Sequence, residues 1–176
     1  MLISEESYTT FNPMLPEAVG ASIFPEQVVA PIRQMLSRGR FVMAALARST
    51  RRTSRSSARR LPARSAAYEH LVLAFGNRAR LDLIPGLAEH ALPLKAVGDA
   101  MHIRNIVLRR VARIELESDP ALRRALGHFV VIGGGFSGVE VAADLVDCLK
   151  SIRRYYPRVA ADELKVTILP RDVSNG

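Results

Sequence analysis

The chain has a single cysteine, Cys148, among its 176 residues. It can therefore form no internal disulfide, and it contains no C-x-x-C pair for dithiol redox chemistry. We expect Cys148 to be a small packing residue. The histidines also predict no metal site, because none of them lies at ligand spacing from another histidine or from the cysteine. They are His70, His90, His102 and His128.

Long apolar runs are missing as well. No run approaches the ~20 residues that a membrane-spanning helix needs. The residues after Met1 show no basic-then-apolar signal peptide, so we expect a cytoplasmic location. The hydrophobic content of 48% still supports a real core in one domain or two small ones.

Acidic residues are absent from Gln27 to Tyr68, a stretch that holds ten arginines. This stretch accounts for the net charge of +8, because elsewhere acidic residues outnumber basic ones by 17 to 15. A basic tract without aromatic platforms is usually solvated, so we do not expect nucleic acid as a partner. Residues 44–67 also lack any hydrophobic period, which predicts an irregular segment with no packed element.

The most informative stretch that is present runs FVVIGGGFSGVEVAAD over residues 129–144. Four apolar residues predict a buried strand, and Gly133, Gly135 and Gly138 then form a G-x-G-x-x-G pattern that leads into a helix. The expected apolar face of that helix carries Val139, Ala142, Ala143 and Val146. Strand, glycine turn and helix in this order are typical of dinucleotide binding. Residues 164–169 predict a second strand, made parallel to the first by a right-handed crossover.

Each glycine of the pattern has an expected task. Gly133 permits the tight turn, Gly135 lets a pyrophosphate approach the backbone, and Gly138 lets the helix pack close to the strand. The free N–H groups and partial positive charge of the helix N-terminus then favour phosphates. The predicted nucleotide-binding residues of the turn are Gly133, Gly134, Gly135, Phe136, Ser137 and Gly138.

The other patterns complete an α/β chain with a Rossmann-like parallel unit. They predict, in chain order, the end of a strand at residues 2–4, a proline-broken loop at 11–16, a helical stripe at 28–36, a buried strand at 68–76, a long helix at 99–114 and a shorter helix at 119–127. Asp119 is the predicted cap of the shorter helix. The expected apolar stripe of the long helix is Met101, Ile103, Val107, Val111 and Ile114.

The run GGGFSGVE resembles the NADH-binding motif of flavin-dependent pyridine-nucleotide oxidoreductases. Together with FNPMLPEAVG, YEHLVLAFG and IPGLAEHALPLKAVGDAMHIRN, it makes the chain resemble type II NADH dehydrogenase. The resemblance implies FAD and NADH as cofactors, with hydride passing from NADH to FAD and electrons passing on to a quinone. No side chain is implied as a general acid or base.

The resemblance also implies roles for three further residues. Glu140 is expected near the nicotinamide and flavin rings, although a first-turn acid also complements the helix dipole. Ala74 and Gly76, at the end of the predicted strand at residues 68–76, are expected to pass close to the flavin nucleotide.

The chain departs from the family pattern at both ends. The family begins with a strand and a glycine motif for FAD, and closes with a Gly-Asp motif, a quinone region and a membrane-associating C-terminus. We therefore expect an internal fragment: a partial FAD-binding domain (1–80), a helical connection (81–127) and the start of an NAD(P)H-binding domain (128–176). The full-length protein is then expected to lie peripherally on the cytoplasmic face of the inner membrane.

The sequence leaves two questions open. Leu169 is followed by Pro170 and Arg171, where the family usually has an acid for the ribose hydroxyls; an arginine favours a 2′-phosphate, so NADPH competes with NADH. The second question is whether the chain is part of an active enzyme or a catalytically inactive dinucleotide-binding remnant. A flavin spectrum in the purified protein separates these two interpretations.

The arginine- and serine-rich residues 44–67 lie where the family has strands. Such composition is typical of a shifted reading frame in GC-rich DNA, and the resemblance resumes in register on both sides. We therefore hypothesise two compensating frameshifts. Translation of the nucleotides in the other two frames tests this, because the hypothesis fails if neither frame shows an alternating β pattern.

Overall fold

The computed structural model describes residues 1–50, 55–59 and 64–170. Within these ranges the strands are β1 (Leu2–Ser4), β2 (Tyr8–Thr10), β3 (Val29–Pro31), β4 (Phe41–Met43), β5 (Ala45–Thr50), β6 (Arg55–Arg59), β7 (Arg64–Ala67), β8 (His128–Ile132) and β9 (Lys165–Leu169). The α-helices are α1 (Leu15–Val19), α2 (Ile32–Met35), α3 (Leu87–His90), α4 (Val97–Leu116), α5 (Pro120–Gly127) and α6 (Phe136–Arg153). Short 3₁₀ turns lie at Asn12–Met14, Pro25–Val28 and Ala161–Glu163.

The chain divides into two compact units. The first comprises Met1–Thr10 and Val29–Arg78, and the second comprises Phe11–Val28 and Ala79–Gly176. Each of these units is a group of residues that pack together. The three domains expected from the sequence are functional divisions of the chain, and they stay a prediction.

Small sheets make up the first unit. Strand β1 pairs in parallel with β4, and β2 pairs antiparallel with β3. Strands β5, β6 and β7 form an antiparallel three-stranded sheet with a register shift between Leu46 and Arg48. Phe41 and Ile32 are among the buried residues of this unit.

The expectation that residues 44–67 form no packed element stays a prediction. The three strands β5, β6 and β7 fall in this segment and pair with one another. Antiparallel pairing is made by backbone N–H and C=O groups, which any non-proline residue supplies, so it does not require a hydrophobic period.

The prediction of a buried strand at residues 68–76 is wrong. These residues form no strand, and Leu71, Val72, Leu73 and Phe75 are exposed. An apolar run becomes a buried strand only when neighbouring strands and a covering layer accept it. None of the described strands pairs with residues 68–76.

Two N-terminal predictions need correction. The expected loop at residues 11–16 contains a 3₁₀ turn and the start of α1, whose Leu15, Ala18 and Val19 are buried. The expected helical stripe at residues 28–36 is interrupted by β3, and only the single turn α2 follows Pro31. Proline fixes its own φ and lacks an N–H, which explains why the helix restarts after it.

The second unit contains most of the apolar core. Helix α1 packs against α4 and α6, and the buried face of α4 carries Val107, Val111 and Ile114, as the periodicity predicted. Met101 was predicted on the same face but is exposed, and Ala100 takes the buried position instead. Burial of each large aliphatic side chain contributes about 1.5–3 kcal/mol before chain entropy is counted.

Two aspartates bind backbone N–H groups at helix N-termini in this unit. The Asp119 carboxylate accepts a hydrogen bond from the backbone N–H of Ala121 at 2.9 Å, with Pro120 at the first helical position of α5. Such a cap stabilises a helix by about 1 kcal/mol. Asp99 lies inside α4, where its carboxylate accepts from the N–H groups of Lys95 and Ala96, both at 2.9 Å.

Candidate dinucleotide-binding site

The site is built on a strand–helix–strand unit. Strands β8 and β9 are parallel, with Phe129 opposite Val166 and Ile132 opposite Leu169, and α6 connects them. The predicted parallel pair is therefore confirmed. The glycine turn at the end of β8 lies at the carboxyl edge of this pair, the edge at which open α/β sheets bind ligands.

The buried face of α6 differs from the predicted one. Val139, Ala142, Ala143 and Val146 were expected to face inward, but of these only Ala142 is buried. Leu145, Cys148 and Leu149 are the other buried residues of the helix. The helix is rotated relative to the prediction because apolar residues surround much of its circumference, so periodicity alone could not identify the core side.

Gly133 makes the turn. Its φ of +118° lies in a backbone region that residues with a Cβ rarely adopt. Its N–H donates to the carbonyl of Leu169 at 2.8 Å, which holds the turn against the end of β9. The tight chain reversal therefore depends on a residue without a Cβ.

Gly135 and Gly138 have different surroundings. A Cβ on Gly138 would collide with the carbonyl oxygen of Gly133, so α6 approaches the turn as closely as a backbone can. A Cβ on Gly135 would meet no atom within 4 Å in the described chain. Gly135 has extended backbone and space around it, as a position facing a bound pyrophosphate requires.

The first turn of α6 offers free hydrogen-bond donors. The N–H groups of Gly138 and Val139 donate to the carbonyl of Gly135, at 3.0 and 3.1 Å. Within the described residues, the N–H groups of Phe136 and Ser137 have no acceptor, and no side chain caps the helix. Unpaired first-turn N–H groups and the helix dipole together favour an anion here.

The surface beside this turn is open. The Phe136 side chain is 94% exposed, and Ser137 and Glu140 are exposed as well. Phe136 presents a large apolar ring next to polar backbone groups. This combination suits a ligand that has both phosphates and flat rings.

Acidic side chains follow along α6. The pKa of Asp144 is raised, mainly by burial and further by the carboxylates of Glu17, Asp147 and Glu140. One carboxylate oxygen of Glu17, on α1, is buried without a hydrogen-bond partner in the described chain. These acids favour neutral or cationic groups on this side of the helix, away from the phosphate-favouring first turn.

The structure does not bring the flavin-side residues into a formed site. Ala74 and Gly76 lie in the exposed residues 68–76 of the first unit. Gly76 has a φ of +67°, and a Cβ there would meet nothing within 4 Å in the described chain. The residues that are present do not on their own form a cradle for FAD.

Sequence reasoning missed the polar contacts that hold this unit together. Arg123 on α5 binds the Glu163 carboxylate with donor–acceptor distances of 2.5 and 2.7 Å, and the two side chains are 13% and 15% exposed. Its Nη1 donates to the carbonyls of Ile114 and Glu117, and the Nη2 that binds Glu163 also donates to the carbonyl of Arg158. The Arg123 guanidinium lowers the pKa of Glu163. A pair separated by 40 residues leaves no local signal in the sequence.

Other chemistry is not evident in the described residues. No group of three or more metal-ligating side chains occurs there. Cys148 is buried and free, and burial raises the pKa of its thiol. No described helix is both long and apolar enough to cross a membrane.

Comparison with known proteins gives one family match and several relatives. The family model described as pyridine nucleotide-disulphide oxidoreductase matches residues 1–172. The external alternative NADH-ubiquinone oxidoreductase of Yarrowia lipolytica is 29% identical over 183 residues, which cover 96% of this chain and 31% of that protein. The external alternative NAD(P)H-ubiquinone oxidoreductase B2 of Arabidopsis thaliana is 32% identical, again over 96% of this chain and 31% of that protein.

A solved structure has the same fold. NDH2 from Plasmodium falciparum, in complex with NADH, superposes with a TM-score of 0.87 at 23% identity, covering 95% of this chain and 36% of that one. These matches confirm the expected resemblance to NADH:quinone oxidoreductases and the Rossmann-like α/β fold. The chain spans about a third of the length of the curated relatives it matches.

Proposed function

Because the chain belongs to the pyridine nucleotide-disulphide oxidoreductase family, we propose that it is the nicotinamide-binding part of an FAD-dependent NAD(P)H:quinone oxidoreductase. The glycine turn carries this proposal. Gly133 forms the turn, Gly138 brings α6 against it, and Gly135 leaves space beside free N–H groups. The names of the Yarrowia and Arabidopsis relatives supply the quinone as acceptor.

The residues of the turn have defined tasks in this proposal. The N–H groups of Phe136 and Ser137 bind the pyrophosphate, and Gly135 keeps the backbone accessible to it. Glu140 lies one helical turn further on and orients the nicotinamide end. The bound nicotinamide supplies the hydride, so the protein side chains bind and position without transferring protons.

The single buried cysteine limits the chemistry within this family. Disulfide reduction needs a second thiol beside the first, and the chain has none. The raised pKa of Cys148 also keeps its sulfur in the unreactive thiol form. Cys148 therefore supplies no dithiol chemistry, and the quinone as acceptor rests on the names of the relatives.

The flavin, the quinone and the membrane belong to the longer protein in this proposal. Ala74 and Gly76 contribute to the flavin site once neighbouring strands cover residues 68–76. Residues 1–80 are then the partial FAD-binding domain, 81–127 the helical connection and 128–176 the start of the NAD(P)H-binding domain. The longer protein associates peripherally with the cytoplasmic face of the inner membrane; the curated relatives are named as mitochondrial.

A catalytically inactive dinucleotide-binding remnant is the second candidate. The exposure of Leu71, Val72 and Phe75 favours it for this chain alone, because the predicted flavin-side strand is not assembled. The two candidates share the nicotinamide site and differ only in the flavin. Absorbance of the purified 176-residue chain near the flavin bands therefore separates them.

The direct test of the nicotinamide site is titration with NADH and NADPH, followed by nucleotide fluorescence, in wild type and in Glu140→Gln. We expect saturable binding in wild type and a modest loss in the variant, since its helix is unchanged. Asp147→Asn, a neutralised acid further along the exposed side of α6, is the matched control and should bind as wild type. No saturable binding of either nucleotide would contradict the proposed function.

A further inference from the structure

Residues of α4 and α5 line an open pocket of about 230 Å³, and no residue of the glycine turn contributes to it. Ile106, Arg109, Arg110 and Arg113 of α4 and Leu126 of α5 line it. The α4 residues fall on one stripe of the helix, because positions three and four apart are neighbours on its surface. Three arginines and two apolar residues therefore line one small open pocket.

These three cations have no compensating acid. Within the described residues, none of them has a carboxylate within ion-pair distance; the pairs there are Arg80–Asp82, Arg123–Glu163 and Lys150–Asp147. Like charges three and four residues apart on a helix repel one another. An ordinary solvated helix face would mix the two signs, so this pocket has an unbalanced positive charge.

Arg110 is the most constrained of the three. One of its terminal nitrogens donates to the carbonyl of Ala125 at 2.6 Å, and its guanidinium lies 5.1 Å from the centre of the Phe129 ring. Its Nε is buried and has no hydrogen-bond partner in the described chain. Burial lowers the pKa of Arg110, with no neighbouring charge to oppose the effect. A partly buried cation without an anion is costly unless a ligand completes it.

We propose that this pocket binds a small organic anion, with a phosphate or carboxylate head held by Arg109, Arg110 and Arg113 and a short apolar body against Ile106 and Leu126. The planar guanidinium forks match the geometry of either head group. Arg110 is held in place by Ala125 and Phe129. The exposed Arg113 and Arg109, whose Nε donates to the carbonyl of Asn105, supply the other contacts to the anion. The proposal is independent of the proposed function, because the pocket and the glycine turn share no residue.

Phenyl phosphate is a suitable probe, because it combines a phosphate head with a compact apolar ring. The side-chain Nε–Hε signals of the three arginines, followed by NMR in the complete 176-residue chain, report binding at the pocket itself. We expect saturable shifts of these signals. Phenol, which has the ring without the charge, and sodium chloride at matched ionic strength should not produce them.

Variants separate this pocket from the glycine turn. R109Q/R113Q should weaken phenyl phosphate binding at least tenfold and leave NADH affinity unchanged. Gly135→Val should do the reverse. Arg109 and Arg113 are exposed, so the double variant should fold. If the double variant does not fold, the single variants R109Q and R113Q replace it, and each should weaken phenyl phosphate binding severalfold.

Three results would overturn the proposal. They are the absence of saturable shifts, equal affinity in wild type and the arginine variants, and loss of phenyl phosphate binding in Gly135→Val alone. The last of these would show that the probe binds only at the glycine turn. Equal binding of phenol would also count against it, because the pocket would then select the ring and not the anion.

Discussion

Two segments of this chain share one sequence pattern and have different structures. Each is an apolar run that ends on a glycine with left-handed φ, +118° at Gly133 and +67° at Gly76. Phe129 in the first run is 7% exposed, whereas Phe75 in the second is 71% exposed. The first run pairs with β9 and is covered on one face, since Val130 and Ile132 on the other face are 48% and 50% exposed. None of the described strands pairs with the second run.

The difference shows that neighbouring elements decide whether a strand pattern becomes a site. The run before Gly133 has its partner strand and its helix within the next 40 or so residues. The run before Gly76 has neither among the described elements, so its apolar side chains remain in solvent. A glycine with positive φ therefore has a partnered strand beside it in one case and an unpaired segment in the other.

Amide hydrogen exchange should show the largest contrast between the two segments. Residues 69–76 make no backbone hydrogen bond within the described chain, whereas β8 is paired along its length. The β8 amides that donate to β9 should be protected up to the global unfolding free energy, of order 5–15 kcal/mol, and those of residues 69–76 hardly at all. Similar protection in both segments, measured by mass spectrometry, would contradict this comparison.

Matched phenylalanine substitutions should show the next largest effect. Phe129→Ala removes a buried ring that also contacts Arg110, and should cost about 3–5 kcal/mol of unfolding free energy. Phe75→Ala should change it by less than about 0.5 kcal/mol, because the ring is exposed. Urea denaturation of both variants checks this. A comparable loss from Phe75→Ala would mean that residues 68–76 are packed.

Alanine substitutions at Gly138 and Gly135 should distinguish a glycine that packs against the backbone from a glycine that faces open space. Gly138→Ala forces a Cβ against the Gly133 carbonyl and should cost about 1–3 kcal/mol. Gly135→Ala enters open space and should change stability by less than about 0.5 kcal/mol. Thermal melts of the two variants make the comparison, and equal losses would show that the turn geometry is not as described.

The smallest predicted effect concerns pH. The pKa of Asp144 is raised in the folded state, so the folded protein binds its proton more tightly than the unfolded chain does. Stability from this residue therefore falls as pH rises through the unfolded and then the folded pKa. Asp144→Asn should raise the melting temperature slightly near neutral pH, and the gain should vanish below about pH 4.

Asp147→Asn is the control for that change. Asp147 is on the same helix but is exposed, with its carboxylate 3.6 Å from Lys150. It should give no comparable gain at any pH. A gain from Asp144→Asn that persists in acid would contradict the assignment to the raised pKa.

The sequence predicted local patterns better than long-range ones. The parallel pair β8 and β9, the cap at Asp119 and the buried Val107, Val111 and Ile114 follow from periodicity and neighbouring residues, and all are present. The strands at residues 45–67 were not predicted, because backbone pairing needs no hydrophobic period. The strand pattern at residues 68–76 failed for the opposite reason, since periodicity does not reveal whether a partner strand is present.

The sequence alone predicted only part of the candidate site. The glycine spacing predicted a turn, and the structure adds that Gly138 touches the Gly133 carbonyl whereas Gly135 faces open space. The core side of α6, the Arg123–Glu163 pair and the arginine pocket depend on residues brought together by the fold. The strand positions at residues 45–67 also sharpen the frameshift hypothesis: a restored frame should alternate apolar and polar residues over those same positions.

Gly135→Val distinguishes a glycine turn that binds a nicotinamide dinucleotide from one that is only structural. Valine can adopt the extended backbone found there, and a Cβ meets no described atom within 4 Å, so the variant should fold. Gly98→Val, at another glycine with open space in α4, is the matched control. NADH affinity by fluorescence titration should be lost in Gly135→Val and retained in Gly98→Val, because only the first fills the pyrophosphate position. Unchanged NADH affinity in a folded Gly135→Val protein would contradict the account.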